Sequence, residues 1–118
     1  MRKYLLAAGL AAALAIPSVA PAVADASTYC PMGATDYTRG GWVVTYRGAT
    51  GHGMNCSSVR YAMGEFRAKI RRQGNYPKIA RPFFDGWVTW YCYKTSGHGV
   101  SCYENTSDTS FTFRAWIR

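Results

Sequence analysis

Apolar and polar residues alternate along this chain with two different periods, and the change of period divides it into elements. From Asn55 to Gly74, NCSSVRYAMGEFRAKIRRQG, the residues Val59, Ala62, Met63, Phe66 and Ile70 recur at intervals of three and four, the repeat of one helical face. The spacing predicts a helix with that face buried. Asn55, Ser57 and Ser58 are candidate N-caps, since a short polar side chain accepts from amides that the first turn leaves unpaired; Arg71, Arg72 and Gly74 suit a helix end. Glu65 and Lys69 are spaced as an i,i+4 pair worth about 0.2–0.5 kcal/mol. Arg60, Arg67 and Arg71 run along one flank of the stripe and Lys69 and Arg72 along the other, so the helix should show water a positive surface.

Downstream the period falls to two. In GWVTWYCYKTSGHGVSCYE, Gly86 to Glu104, setting Cys92 opposite Cys102 places Lys94 against Val100 and Thr95 against Gly99. Ser96, Gly97 and His98 are then left as a hairpin loop, a length that favours glycine where φ is positive. Alternation assigns Val88, Trp90, Cys92, Val100 and Cys102 to one face and Trp87, Thr89, Tyr91, Tyr93, Ser101 and Tyr103 to the other. The closing SFTFRAWIR alternates Phe111, Phe113, Ala115 and Ile117 with Ser110, Thr112, Arg114, Trp116 and Arg118, and should be the third strand of a meander, with ENTSDTS as its turn. Upstream, WVVTYR (Trp42 to Arg47) has strand composition, and Gly48 to Asn55 is expected to be a loop leading into the helix. Asp25 to Gly40 is polar and punctuated by Gly and Pro, so its order is expected to depend on Cys30. Between helix and hairpin, GNYPKIARPFFD carries Pro77 and Pro82, which stop the helix, while Tyr76, Ile79, Phe83 and Phe84 are expected to pack over the core.

The expected fold class is α+β: a small disulfide-stabilised domain with one amphipathic helix packed on an antiparallel sheet, built from an N-terminal strand and a C-terminal three-stranded meander. Gly-Trp, Gly-His-Gly and a cysteine occur twice, at Gly41–Trp42, Gly51–Gly53 and Cys56 and again at Gly86–Trp87, Gly97–Gly99 and Cys102. Phe-Arg-Ala also recurs, but on a helical pattern at Phe66 and a strand pattern at Phe113, which argues against a structural duplication.

The first 24 residues, MRKYLLAAGLAAALAIPSVAPAVA, change the picture by placing the rest in an oxidising compartment. Arg2 and Lys3 precede an apolar run that ends in Ala22-Val23-Ala24, the pattern of a secretory signal peptide, leaving a single secreted domain over 25–118. A membrane anchor is disfavoured, because Pro17 and Pro21 break the run and no second apolar segment follows. All four cysteines, Cys30, Cys56, Cys92 and Cys102, fall after this site, and an even number in an exported chain implies two bridges. Of the three connectivities, Cys30–Cys56 with Cys92–Cys102 is favoured: the second pair fits the hairpin register and leaves the first to tie the N-terminal segment to the helix start. Zinc is the weaker alternative, since no close C-x-x-C or H-x-x-x-H spacing occurs.

Lys and Arg number 14 against six Asp and Glu, a net charge of +8, and only Arg2 and Lys3 of these fall in the leader. Such a surface is drawn to polyanions: anionic envelope polymers, lipid headgroups, and nucleic acid without specificity.

At Cys56-Ser57-Ser58-Val59 with the basic helix, then Gly86-Trp87, Cys92, Cys102 and the closing Phe111-Thr112-Phe113-Arg114-Ala115-Trp116, the chain resembles a group of small exported actinobacterial proteins with that order of features. The resemblance implies export and architecture and carries no activity. The long aromatic run Trp90-Tyr91-Cys92-Tyr93 departs from the group's pattern.

The candidate binding surface is the aromatic face Trp87, Tyr91, Tyr93, Tyr103 and Trp116, flanked by Arg114 and Arg118, which suits sugar rings or bases carrying anionic groups. The competing expectation is that Trp42–Arg47 and the proline connection cover this face as a second core layer. The leading expectation is therefore a secreted non-catalytic binding protein for an anionic or glycan envelope polymer, with no cofactor. A ribonuclease-like hydrolase would use His98 as acid, Glu104 as base and Arg114 as anion stabiliser. A protease inhibitor would present Cys30-Pro31-Met32-Gly33 as a disulfide-anchored loop. No Ser/His/Asp arrangement, phosphate-cradling Walker loop or dinucleotide fingerprint is visible.

Overall fold

A computed structural model describes residues 27–118; the signal peptide expected over residues 1–24 lies outside the described residues. Chain order is β1 (Ser27–Tyr37), β2 (Val43–His52), α1 (Cys56–Arg71), β3 (Pro82–Phe84), β4 (Thr89–Lys94), β5 (Gly99–Glu104) and β6 (Ser110–Ile117). The strands form one six-stranded antiparallel sheet in the order β1-β2-β6-β5-β4-β3, and α1 carries the chain across one face of it from β2 to the far edge. No helix of the described residues is long and apolar enough to cross a membrane.

Asn55 caps α1, its side chain accepting from the Ser58 amide at 2.9 Å. Val59, Ala62, Met63, Phe66 and Ile70 are buried against the sheet, as their spacing requires. Carbonyls at and just beyond the helix end accept from the β1–β2 turn: Arg39 N–H reaches Arg71 O at 2.8 Å and Gly40 N–H reaches Gln73 O at 3.2 Å. Only glycine fits at residue 40, since a Cβ there would lie 1.8 Å from Gly74 O. Among the described residues Glu65 and Lys69 form no ion pair; Arg67 and Arg71 instead reach down to Asp36 on β1. The positive surface of the helix is to that extent neutralised from below, leaving Arg60 and Arg72 exposed.

The meander has the expected register, with Cys92 opposite Cys102, Lys94 opposite Val100 and Thr95 N–H bonded to Gly99 O, and Gly97 takes φ 63° in the loop. Both expected disulfides form, Cys30–Cys56 and Cys92–Cys102. Two expectations need correction upstream. The segment before Gly40 is not irregular: it is β1, an edge strand paired with β2 and tied to the helix start through Cys30. Nor does β2 stop at Arg47, because Gly48 (φ 49°) sits in a bulge where the register with β6 shifts, and the strand continues to His52. The twin Gly-Trp dipeptides each place a positive-φ glycine shortly before a strand, whereas one Phe-Arg-Ala is helical and the other extended, so the echo is not a duplicated unit among the described residues.

The core lies between α1 and the inner face of the sheet, where Val44, Tyr46, Trp90, Cys92, Val100, Cys102, Phe111, Phe113 and Ala115 meet the helix. Phe66 lies at its centre, its ring edge-on to those of Tyr46, Phe83 and Phe113. From the proline connection, Ile79 and Phe83 join this core, while Tyr76 and Phe84 remain exposed.

Candidate binding face

The helix covers one face of the sheet; the alternation of each strand therefore delivers half its side chains to a face that nothing among the described residues covers. β2 does not lie over the aromatic residues. It extends the same sheet beyond β6, and the proline connection packs on the helix side. The second-core-layer expectation is corrected accordingly.

Cross-strand register arranges the outer face in rows. One row runs Tyr91, Tyr103, Ser110, His52, and the next runs Tyr93, Ser101, Thr112, Thr50, Tyr29. A further row sets Arg114 of β6 directly opposite Arg47 of β2, with Trp116 opposite Thr45 beyond it. Tyr91, Tyr93 and Tyr103 thus gather at one corner, a band of Ser and Thr crosses the middle to Tyr29 on β1, and arginines gather at the other end.

The tyrosine corner is continuous. The rings of Tyr91 and Tyr103 lie 5.7 Å apart and those of Tyr93 and Tyr103 lie 6.1 Å apart. Tyr93 and Tyr103 stay 50% and 43% exposed and Tyr91 is partly buried, so their rings are accessible to a partner. At the other end the Arg114 guanidinium lies 4.8 Å from the Trp116 ring centroid, and the His98 ring lies 4.9 Å from the same indole. Trp116 therefore steadies Arg114 more than it offers a free platform. Two shallow depressions border this end. One, of about 510 Å³, is lined by Thr45, Arg47, Arg114, Trp116, Ile117 and Arg118. The other, of about 400 Å³, includes Tyr29, Thr50 and Thr112 and shares Arg47 and Arg114 with the first.

No acidic side chain faces outward from the sheet among the described residues. Asp36, Asp85 and Glu104 are buried on the helix side, Glu65 is on α1 and Asp108 is in the β5–β6 turn. The buried acids have structural partners. Asp85 closes the turn before β4, accepting from the amides of Trp87 and Val88 at 2.8 and 2.9 Å and from the Trp90 indole N–H at 2.9 Å. Burial alone would raise its pKa, but these hydrogen bonds outweigh it and hold the carboxyl below the usual range. Glu104 does the same for the β5–β6 turn. Hydrogen bonds from the Ser107 hydroxyl, and from the Thr106 hydroxyl and amide, lower its pKa.

This placement separates the other candidates. His98 and Arg114 both approach Trp116, but Glu104 is at the opposite end of β5 and faces the helix side, so the three do not surround one reacting atom. Cys30-Pro31-Met32-Gly33 is no loop; it is a bulged section of β1. Trp87, 80% exposed, projects from the turn before β4. It borders both a depression shared with Tyr91 and a cleft of about 720 Å³ between the start of α1 and the end of the sheet. No group of three or more His, Cys, Asp or Glu able to hold a metal occurs among the described residues.

Arg47 and Tyr29 belong to this face but were not among the expected site residues. The alternation in Trp42–Arg47 already points Arg47 away from Val44 and Tyr46. What it does not reveal is that β2 pairs with β6, which brings Arg47 to Arg114. No protein-family model matches the chain, and neither the curated proteins nor the solved structures contain a match to it.

Proposed function

We propose that this chain is a secreted, non-catalytic binding protein that engages an anionic or glycan-bearing polymer of the cell envelope through the outer face of its sheet. Tyr91, Tyr93 and Tyr103 stack against sugar rings, and Arg47, Arg114 and Arg118 meet the anionic groups. Trp87 extends the aromatic surface around the rim. One observation carries the proposal: the uncovered face combines accessible tyrosines with opposed arginines and has no acidic side chain to neutralise them. Adjoining exposed aromatic rings, unlike singly scattered ones, mark a surface on which something docks. Both disulfides suit the oxidising exterior that the leader implies.

Retention on purified envelope tests this directly. The protein should sediment with envelope at low ionic strength and be released as salt screens the arginines, with a Debye length of about 10 Å at 0.1 M. Absence from the pellet at low salt would sink the proposal.

A further inference from the structure

Resting on that proposal, we infer that Arg47 and Arg114 together receive a phosphoryl group carried on a hydroxyl-rich chain, such as a polyol phosphate of the envelope. The two arginines stand directly opposite each other on β2 and β6. Like charges opposed across a ladder repel and destabilise it, and the ion pairs that form among the described residues both go to Asp36, beneath the sheet. A bound oxyanion would turn this repulsion into attraction. The guanidinium is suited to the task, because its planar fork donates two parallel N–H bonds to two oxygens of one phosphoryl group. Arg114 is held for it against Trp116.

The surroundings specify what carries the anion. Both depressions are bordered by Arg47 and Arg114, so a chain lying along the face crosses the arginine pair in passing from one to the other. Apart from Arg118 and Trp116 in the first, their remaining polar side chains carry hydroxyls: Thr45 in one, and Tyr29, Thr50 and Thr112 in the other. Hydroxyls both donate and accept, which matches the alcohols of a polyol or sugar. A single-stranded nucleic acid would want an aromatic platform under each successive base, and here Trp116 is already occupied by His98 and Arg114.

Thermal melting of the purified protein in sodium phosphate and in sodium chloride of equal ionic strength reads the oxyanion site. The wild type should melt higher in phosphate, and Arg47→Gln and Arg114→Gln should lose that difference. Because each substitution relieves the repulsion, both variants should melt in chloride at least as high as the wild type, which separates loss of the site from misfolding. Equal melting of the wild type in the two salts, or a phosphate difference kept by both variants, overturns the inference. Titration with poly(glycerol phosphate), polyglutamate and an oligothymidylate of matched charge then identifies the carrier. The polyol phosphate should bind at least about tenfold tighter than either, the lower end for charge-assisted hydrogen bonds. The slope of log K against log salt should fall by about 1 in Arg47→Gln. Polyglutamate or oligothymidylate binding as tightly as the polyol phosphate also overturns it. Envelope retention undiminished in Arg47→Gln defeats this inference and leaves the broader proposal standing, whereas no retention of the wild type defeats both.

Discussion

Asp36 shows how a single acid, placed beneath the sheet, organises two of the helix's cations. Its carboxylate receives Arg67 through Nε and a terminal nitrogen at 2.8 and 2.9 Å and Arg71 at 3.2 Å. The Arg67 hydrogen bonds lower its pKa against the opposing effect of burial. A carboxyl whose folded pKa lies below its unfolded one stabilises the fold fully above the unfolded value, near 3.8, and loses that contribution as pH falls through the folded value. Asp85 and Glu104 act in the same direction. Urea denaturation between pH 6 and pH 2 should therefore show stability falling below about pH 4. Asp36→Asn should flatten that fall and cost about 1–2 kcal/mol at neutral pH, the loss of charge-assisted hydrogen bonds to arginines that are themselves partly solvated. A neighbouring residue behaves oppositely. The Tyr46 hydroxyl is buried without a hydrogen-bond partner, and burial raises its pKa. Tyr46→Phe removes an unsatisfied group while keeping the ring among Phe66 and Phe113, so the same measurement should find stability unchanged or raised by about 1 kcal/mol.

The helix and the meander were legible because each repeats its period long enough to leave one solution. Val59 to Ile70 define a stripe, and the paired cysteines lock the hairpin register that Phe111, Phe113 and Ala115 then extend. β1 was not legible. Its Pro31 and Gly33 read as breaks, yet the bulge between Cys30 and Gly33 absorbs them and the bridge to Cys56 anchors the strand to the helix start. The second half of β2 was missed for the same reason, since Gly48 terminates a pattern only where no bulge accommodates it. The two bridges differ in what they close. Cys30–Cys56 spans 26 residues and joins β1 to the start of α1, while Cys92–Cys102 spans 10 residues within one hairpin. Replacing the first pair by serine should cost about 1 kcal/mol more in urea than replacing the second, from the longer loop released in the unfolded chain.

One helix cannot cover both sides of a six-stranded sheet, and the distribution of charge follows from that asymmetry. Acids serve the covered side, as ion-pair partner and turn closers, and the open side keeps tyrosines, alcohols and arginines. Within the candidate site the aromatic half was legible from strand alternation alone, because Tyr91, Tyr93 and Tyr103 share a parity within one hairpin. The Arg47–Arg114 pair was not, since it depends on a contact between strands far apart in the chain. The account depends on this open face, not net charge, doing the binding. Its most direct test compares envelope retention at fixed salt for two double variants with equal loss of charge, Arg47→Gln with Arg114→Gln on the outer face and Arg60→Gln with Arg72→Gln on the helix. The account predicts that the outer-face variant is released while the helix variant stays bound like the wild type; equal release of both would contradict it.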